Sequence, residues 1–271
     1  MIVFYETVVL GQQDVPARFE AIEGVEAAVC LDGDLNKALD YKERAQGNIM
    51  MLVSLRTRSI LASMGIVPTV MMNDNPSHFR AQTLLASVPS SLYLNAGGFL
   101  LPFKAIHNHP AVPDRFFLKT DSGNKGIPGQ VVSKSDLGMV NKLYRFDCHT
   151  LCLIAPVTQV RQEMRLWVGM DDFSGISILA SAPYTHDDAP VNEAECQSIM
   201  QQAPEILKDI AARIQPCAIM VVDLGLREDG TAALIEINSA NTSGTYGVAD
   251  VYIKAAIPFL NAHSMTYDKA S

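Results

Sequence analysis

The sequence has no apolar run near the roughly 18 residues needed to span a bilayer. Its longest candidate, Ile49 to Val53, is strand-sized. It also lacks a basic leader: MIVFYETVVLG carries an early Glu6 and reads as a first strand rather than a signal peptide. There is no CxxC pair. The five cysteines (Cys30, Cys148, Cys152, Cys196, Cys217) form an odd set and read as reduced structural thiols of a cytoplasmic protein. Positive charge is short, with 21 Lys and Arg against 29 Asp and Glu, a net of -8. That deficit argues against general affinity for nucleic-acid phosphate, which needs clustered Lys and Arg, but it leaves room for an anion in one local pocket. Charged residues reach only 18%, against 48% hydrophobic, so the chain can bury a core and disorder is excluded.

The 271 residues suit one large unit or two closely packed ones. Internal repeats and low-complexity tracts are missing. The first hundred residues alternate short apolar runs with helical segments. Strands are expected at Ile2–Val9, Ala27–Leu31, Ile49–Val53 and Ile66–Met72, and helices at Asp34–Ala45 and Arg56–Met64, the latter closed by Gly65. That alternation predicts an α/β layer. Residues 73–94 read as helical, and Leu94-Asn95-Ala96-Gly97-Gly98 breaks the pattern. The boundary is set there, giving an α/β region over 1–90 and a second domain over 91–271. The second part predicts strands at Arg115–Lys119, Gln130–Ser133, Leu151–Val157, Glu163–Met170 and Gly175–Ala182. Helices follow at Asp136–Tyr144 and Glu193–Ile214. Ala218–Leu224 and Ala232–Asn238 are joined through Asp229-Gly230, a strong hairpin signal, and a helix over Val248–Leu260 closes the unit. Hairpins with helices indicate an α+β architecture.

Three constellations carry chemistry. In FFLKTDSGNKGIPGQVV a strand delivers Lys119 into a loop holding Gly123, Lys125, Gly126 and Gly129. Such glycines let backbone N–H groups approach phosphate oxygens; a polar hairpin with surface lysines fits the same residues. In VVDLGLREDGTAALIEINSANTSG, Asp223 ends one hairpin strand, and Glu236 and Asn238 lie two apart on its partner, sharing one face. Two carboxylates and an amide oxygen suit a hard cation such as Mg²⁺, although an edge hairpin with a wet polar face also carries this pattern. In QVRQEMRLWVG, Glu163 and Arg165 share a strand face opposite Leu166 and Val168. Arg165 there suits either a phosphate or a cross-strand salt bridge.

The order of these clues resembles the ATP-grasp family: a strand lysine with a glycine loop, then Glu-x-Arg, then Asp, a hairpin and Glu-x-Asn. FLKTDSGNKGIPG and GTAALIEINSANTSGTYG with Asp250 are similar to a phage and bacterial clade of that family, over about residues 90 to 260. The resemblance implies an ATP-grasp fold, with two α+β subdomains gripping ATP, after a small α/β pre-ATP-grasp region. It implies that Lys119 contacts the phosphates, with Lys125, Gly126 and Gly129 supporting them from the loop. Arg165 faces the transferring phosphoryl group, and Lys104 is a further candidate phosphate lysine. It implies Mg²⁺ on Asp223, Glu236 and Asn238, and adenine beside Ile154-Ala155-Pro156-Val157, where Pro156 and Val157 border the base. Two positions depart from the pattern: Thr120 stands where many members have Pro, and Ala155 where many have an acidic residue.

The family's usual reaction joins a carboxylate to an amine through an acylphosphate, with consumption of ATP. Arg165 and Lys125 are then the expected catalytic residues, and peptide or small amino-acid-like carboxylates and amines the expected substrates, with no nucleic-acid or membrane partner and room for a homodimer. His107, His109 and His149 could move protons or sit as plain surface histidines. A kinase on the same fold and a non-catalytic binding module remain the alternatives, and substrate identity is not legible, because specificity in such folds sits in loops.

Overall fold

The computed structural model describes residues 1–11, 14, 16–45, 47–69, 72, 76–122, 127–145, 147–170, 175–184, 190–214 and 218–267. The chain opens with β1 (Ile2–Tyr5), β2 (Ala27–Cys30), a one-turn α1 (Lys42–Ala45), β3 (Ile49–Leu52) and α2 (Leu55–Ser63). The strands form a parallel sheet in the order β2-β1-β3. Every residue of β3 is buried, as its unbroken apolar run demands of a parallel strand covered on both faces. Ser54 caps α2 by accepting from the Thr57 N–H, and Gly65 with φ +74° follows its end.

Three expectations for this unit need correction. The strand foreseen over Ile2–Val9 stops at Tyr5, because the Val9 N–H turns back to the Glu6 carbonyl (3.0 Å). The helix foreseen over Asp34–Ala45 is a 3-10 turn from Leu35 to Tyr41 before α1 begins, started by Asp34 accepting from the Asn36 N–H. No strand forms over residues 66–69, while residues 70 and 71 lie outside the described ones. Pro68 removes a ladder donor at the middle of that stretch.

The segment read as helical over 73–94 holds a 3-10 turn at Pro76–Phe79 and then α3 (Ala81–Ser87). Next come β4 (Phe99–Pro102), α4 (Phe103–Ile106), β5 (Arg115–Thr120), β6 (Gln130–Ser133), α5 (Leu137–Tyr144) and β7 (Leu151–Ala155). The strands make an antiparallel sheet ordered β4-β7-β5-β6. Neither β4 nor α4 was expected. The Gly97-Gly98 break hid β4, where a Cβ on Gly98 would stand 2.8 Å from the Ile154 carbonyl oxygen on the neighbouring strand.

The third sheet uses β8 (Val160–Met170), β9 (Ile176–Tyr184), α6 (Glu193–Ala211), β10 (Ile219–Arg227), β11 (Ala232–Ser239) and α7 (Ala249–Tyr267), with strands ordered β11-β10-β8-β9, all antiparallel. The two-residue period of β8 sorts its side chains. Met164, Leu166, Val168 and Met170 pack under α6 with Ile199, Ala203 and Ile206, joined by Phe79, Leu84 and Tyr93. Trp167 faces the other way, among Tyr252 and Ile253 of α7 and Val3, Met50 and Leu52 of the parallel sheet. Arg165 and Glu163 continue the Trp167 face beyond the end of that core. One irregularity matters. Leu224 opposes Leu234 while Asp223 opposes Glu236, so Ile235 is unopposed and β11 bulges there. Ile235 lies over Gly225, where a Cβ would come within 3.0 Å of it. Among the described residues, no helix is long and apolar enough to cross a membrane.

Candidate functional site

The cleft lies between the second and third sheets. Its charged corner is built by register. Arg165 on β8 and Glu236 on β11 both stand opposite Asp223 on β10. Arg165 grips Asp223 with two hydrogen bonds, Nε to Oδ1 and Nη2 to Oδ2, both 2.7 Å. The Asn238 amide nitrogen donates to Asp223 Oδ2 (3.0 Å) and Glu236 Oε1 (2.7 Å), drawing the three expected metal ligands together. Lys119 reaches across from β5 and pairs with Glu236 Oε2.

Burial sets the electrostatics. The Arg165 and Asp223 side chains are 5% and 9% exposed. Burial works against the Arg165 charge, yet the hydrogen bond and charge of Asp223 outweigh it and hold the guanidinium protonated. Burial raises the Asp223 carboxyl against the pull of Arg165, and Glu236 adds to the rise. Glu163 is pushed up to about 7 by burial first, then by Asp223 and Glu236. Three carboxyl groups thus share a poorly solvated corner with two cations, and that crowding raises the Glu163 and Asp223 carboxyls.

Aromatic rings clamp the arginine. Its guanidinium carbon stands 5.5 Å from the Tyr184 ring centroid and 5.1 Å from that of Tyr246. Tyr246 adopts φ +48°, an uncommon left-handed backbone for a bulky residue. The segment is held from the first unit. Asp14 Oδ2 accepts from Thr245 Oγ1 (2.5 Å) and from the Gly11 N–H (2.6 Å), while Asp14 Oδ1 accepts from the Ala249 N–H at the start of α7 (2.8 Å).

A cavity of about 250 Å³ opens over this corner, lined among others by Lys119, Glu163, Arg165, Asp223, Glu236 and Tyr246. A second, of about 430 Å³, adjoins it, with the apolar Leu94, Phe117, Pro156, Val157, Val160 and Ile235 in its wall beside Asn95, Gln130, Thr158 and Glu163. Asn95, Phe117, Gly129, Glu163 and Ile235 line both. At Gly129 a Cβ would stand 2.6 Å from the far end of the Phe117 ring, which would have to shift to admit it. At the mouth of the glycine loop Thr120 Oγ1 accepts from the Ile127 N–H (3.0 Å), and Asp121 Oδ1 accepts from the Gln82 N–H (2.9 Å).

The structure therefore brings together Lys119, Arg165, Asp223, Glu236 and Asn238 at the corner, and Gly129, Pro156 and Val157 at the apolar slot. Lys104 is exposed on α4, with Nζ 3.5 Å from His149 Nε2, and is not among the residues lining either cavity. Lys125, Gly123 and Gly126 lie outside the described residues, as does Cys217. The other four cysteines are free thiols. Sequence reasoning missed Tyr184, Asn95, Phe117 and Ile235 as lining residues. Tyr184 is brought in by pairing with Glu163 across β8 and β9, and Ile235 by the bulge. Only the spacing of Glu163 to Arg165 offered a signal, for Glu163.

A family model described as an ATP-grasp domain, family 3 of its clade, matches residues 64–257. The chain belongs to this ATP-grasp family. Its fold is shared with ATP-grasp enzymes of distant sequence. D-alanyl-alanine synthetase A from Vibrio cholerae superposes with a TM-score of 0.56 at 9% identity, over 98% of each chain. The D-alanine–D-alanine ligase from Bacillus anthracis, complexed with ATP, gives 0.53 at 12%, over 100% of this chain and 99% of that one. The L-amino acid ligase from Bacillus licheniformis gives 0.52 at 13%, over 93% and 73%. No curated protein matches the sequence. For an ATP-grasp cleft the residue types here suit a hard divalent cation: the Asp223 and Glu236 carboxylates both lie within hydrogen-bonding distance of the Asn238 amide nitrogen, and a turn of that amide would offer its oxygen instead.

Proposed function

We propose that this chain is a Mg–ATP-dependent ligase that joins a carboxylate to an amine, with a peptide or a small amino-acid-like molecule as substrate. The observation that carries the reading is the corner itself. Asp223, Glu236 and Asn238 converge beside Lys119 and Arg165, and an apolar slot of base-accommodating size adjoins them. The adenine would occupy the slot against Phe117 and Ile235, with backbone groups of residues 155–157 beside it. The triphosphate would extend over the corner toward Lys119, Arg165 and the loop that carries Lys125 and Gly126. Asp223, Glu236 and Asn238 would hold Mg²⁺, which when bound supplies neutralising charge to the phosphates.

On this reading a substrate carboxylate oxygen attacks the γ-phosphorus and the bond to ADP breaks. The amine then attacks the acyl carbon, phosphate leaves, and the amine sheds a proton. The protein's contribution is positioning and electrostatic stabilisation. Arg165, clamped by Tyr184, Tyr246 and Asp223, is preorganised for that task. The test is incubation with ATP, Mg²⁺ and a panel of amino acids and dipeptides, followed by nucleotide chromatography and mass spectrometry. ADP with a new amide mass is expected. AMP with pyrophosphate would overturn the acylphosphate route, and ADP with a phosphorylated product would replace ligation by phosphoryl transfer.

A further inference from the structure

The oxygens proposed to hold the metal are already taken. Asp223 gives both of its oxygens to Arg165, and Glu236 divides its own between Asn238 and the Lys119 ammonium. The two cations differ in how they are held. Arg165 has two hydrogen bonds to Asp223, a ring from each of two tyrosines and a contact from Nη1 to the Gly244 carbonyl (3.4 Å). Lys119 is a compact charge on a flexible stem, and its partner belongs to the opposite sheet.

We infer that Lys119 excludes metal from the site until nucleotide arrives: its ammonium fills the cation position on Glu236 and leaves only when a triphosphate gives it another anion. The inference rests on the ATP reading above and concerns the order in which that site fills. A divalent ion arriving alone must expel the ammonium from Glu236, which strands Lys119 beside a like charge with its side chain only 17% exposed. A nucleotide arriving alone must draw Lys119 away, which leaves Glu236 facing Asp223, Glu163 and the new phosphates in a poorly solvated corner. When both arrive, the partners exchange. Lys119 passes from carboxylate to phosphate and Glu236 from ammonium to metal, and no charge is stranded. Metal and nucleotide therefore assist each other, and the assistance is reciprocal. Because the Lys119–Glu236 pair crosses the cleft, the exchange also releases one tie between the two sheets.

The test separates this gate from the ATP reading. Mn²⁺, a paramagnetic stand-in for Mg²⁺, is titrated without nucleotide by electron paramagnetic resonance into the wild type, Lys119→Met and Lys119→Gln. ATP is titrated calorimetrically into the same proteins with and without Mg²⁺, and circular dichroism checks that each is folded. The charge-assisted contact at stake corresponds to about tenfold or more in affinity. Lys119→Met and Lys119→Gln should bind Mn²⁺ alone at least about tenfold more tightly than the wild type and lose about tenfold or more for Mg–ATP. Glu236→Gln should remove the Mn²⁺ gain when combined with Lys119→Met. Equal Mn²⁺ affinity in wild type and Lys119 variants overturns the gate while leaving ATP binding intact. A wild type that takes ATP equally well with and without Mg²⁺ also overturns the gate. Absence of any Mg–ATP binding by the wild type overturns the reading of the site, and the gate with it.

Discussion

The two ends of the cleft are built by opposite rules. The charged corner draws Arg165, Asp223, Glu236 and Asn238 from three adjacent strands of one sheet, and hydrogen bonds fix each side chain to the next. The apolar slot takes Phe117, Gly129 and Gln130 from or beside the second sheet, Ile235 from the third and Pro156 and Val157 from the connection between them. No hydrogen-bond lattice is needed to hold it, only shape. The corner should therefore couple folding stability to ligand binding, because its pairs are buried. The slot should tune binding with little effect on folding, because much of its wall is exposed.

The hardest test of that contrast is Asp223→Ala. Breaking one partner of a buried ion pair strands the other, at about 3–5 kcal/mol. Urea unfolding should show that loss, together with loss of nucleotide binding, and a stable variant would mean that Arg165 finds another anion. Next comes Glu163→Gln. The unfolded chain releases this proton near 4.5 while the fold keeps it to about 7. Wild-type stability should therefore fall as pH rises between those values and level off above them. After discounting for partial exposure, the effect is on the order of 2 kcal/mol. Glu163→Gln should be the more stable protein at pH 8 and lose its advantage below pH 4.5, as read by thermal unfolding of the pair across pH. A constant difference at all pH values would remove Glu163 from the corner's charge balance.

Gly129→Ala moves the question to the slot. The new Cβ stands 2.6 Å from the Phe117 ring, and overpacking of this kind costs about 1–3 kcal/mol. The loss should appear mainly in ATP affinity by calorimetry, with a smaller change in melting temperature. An unfolded variant would show that the slot is structural after all. The smallest effect belongs to Val157→Ala, since Val157 is 38% exposed. Its stability should stay within about 0.5 kcal/mol of wild type, and a larger fall in a melting experiment would place the residue in the core.

Much of this was legible in the sequence where local chemistry decides. Asp229-Gly230 marked the hairpin, and Gly230 takes φ +82° there. The two-residue spacing of Glu163 to Arg165 and of Glu236 to Asn238 placed each pair on one face, as found. The run around Pro68 was misread as a strand and the strand after the Gly97-Gly98 break was missed, because a strand depends on partners that the run itself does not name.

What the sequence determined, then, is the succession of elements from β5 to α7, the alternation that buries Met164, Leu166 and Val168 under one helix, and the residue types of the charged corner. What tertiary structure alone decided is which of those residues meet. Simple alternation along β11 would put Leu234 and Glu236 on one face. The bulge at Ile235 sends Leu234 to the α6 core and both Ile235 and Glu236 to the cleft. The pairing of Lys119 with Glu236, 117 positions apart, and the hold of Asp14 on Thr245, 231 apart, arise from sheets closing on each other. Periodicity reports the few residues around a position; contacts over such separations are set by packing of whole layers, where burial of many side chains outweighs any local preference.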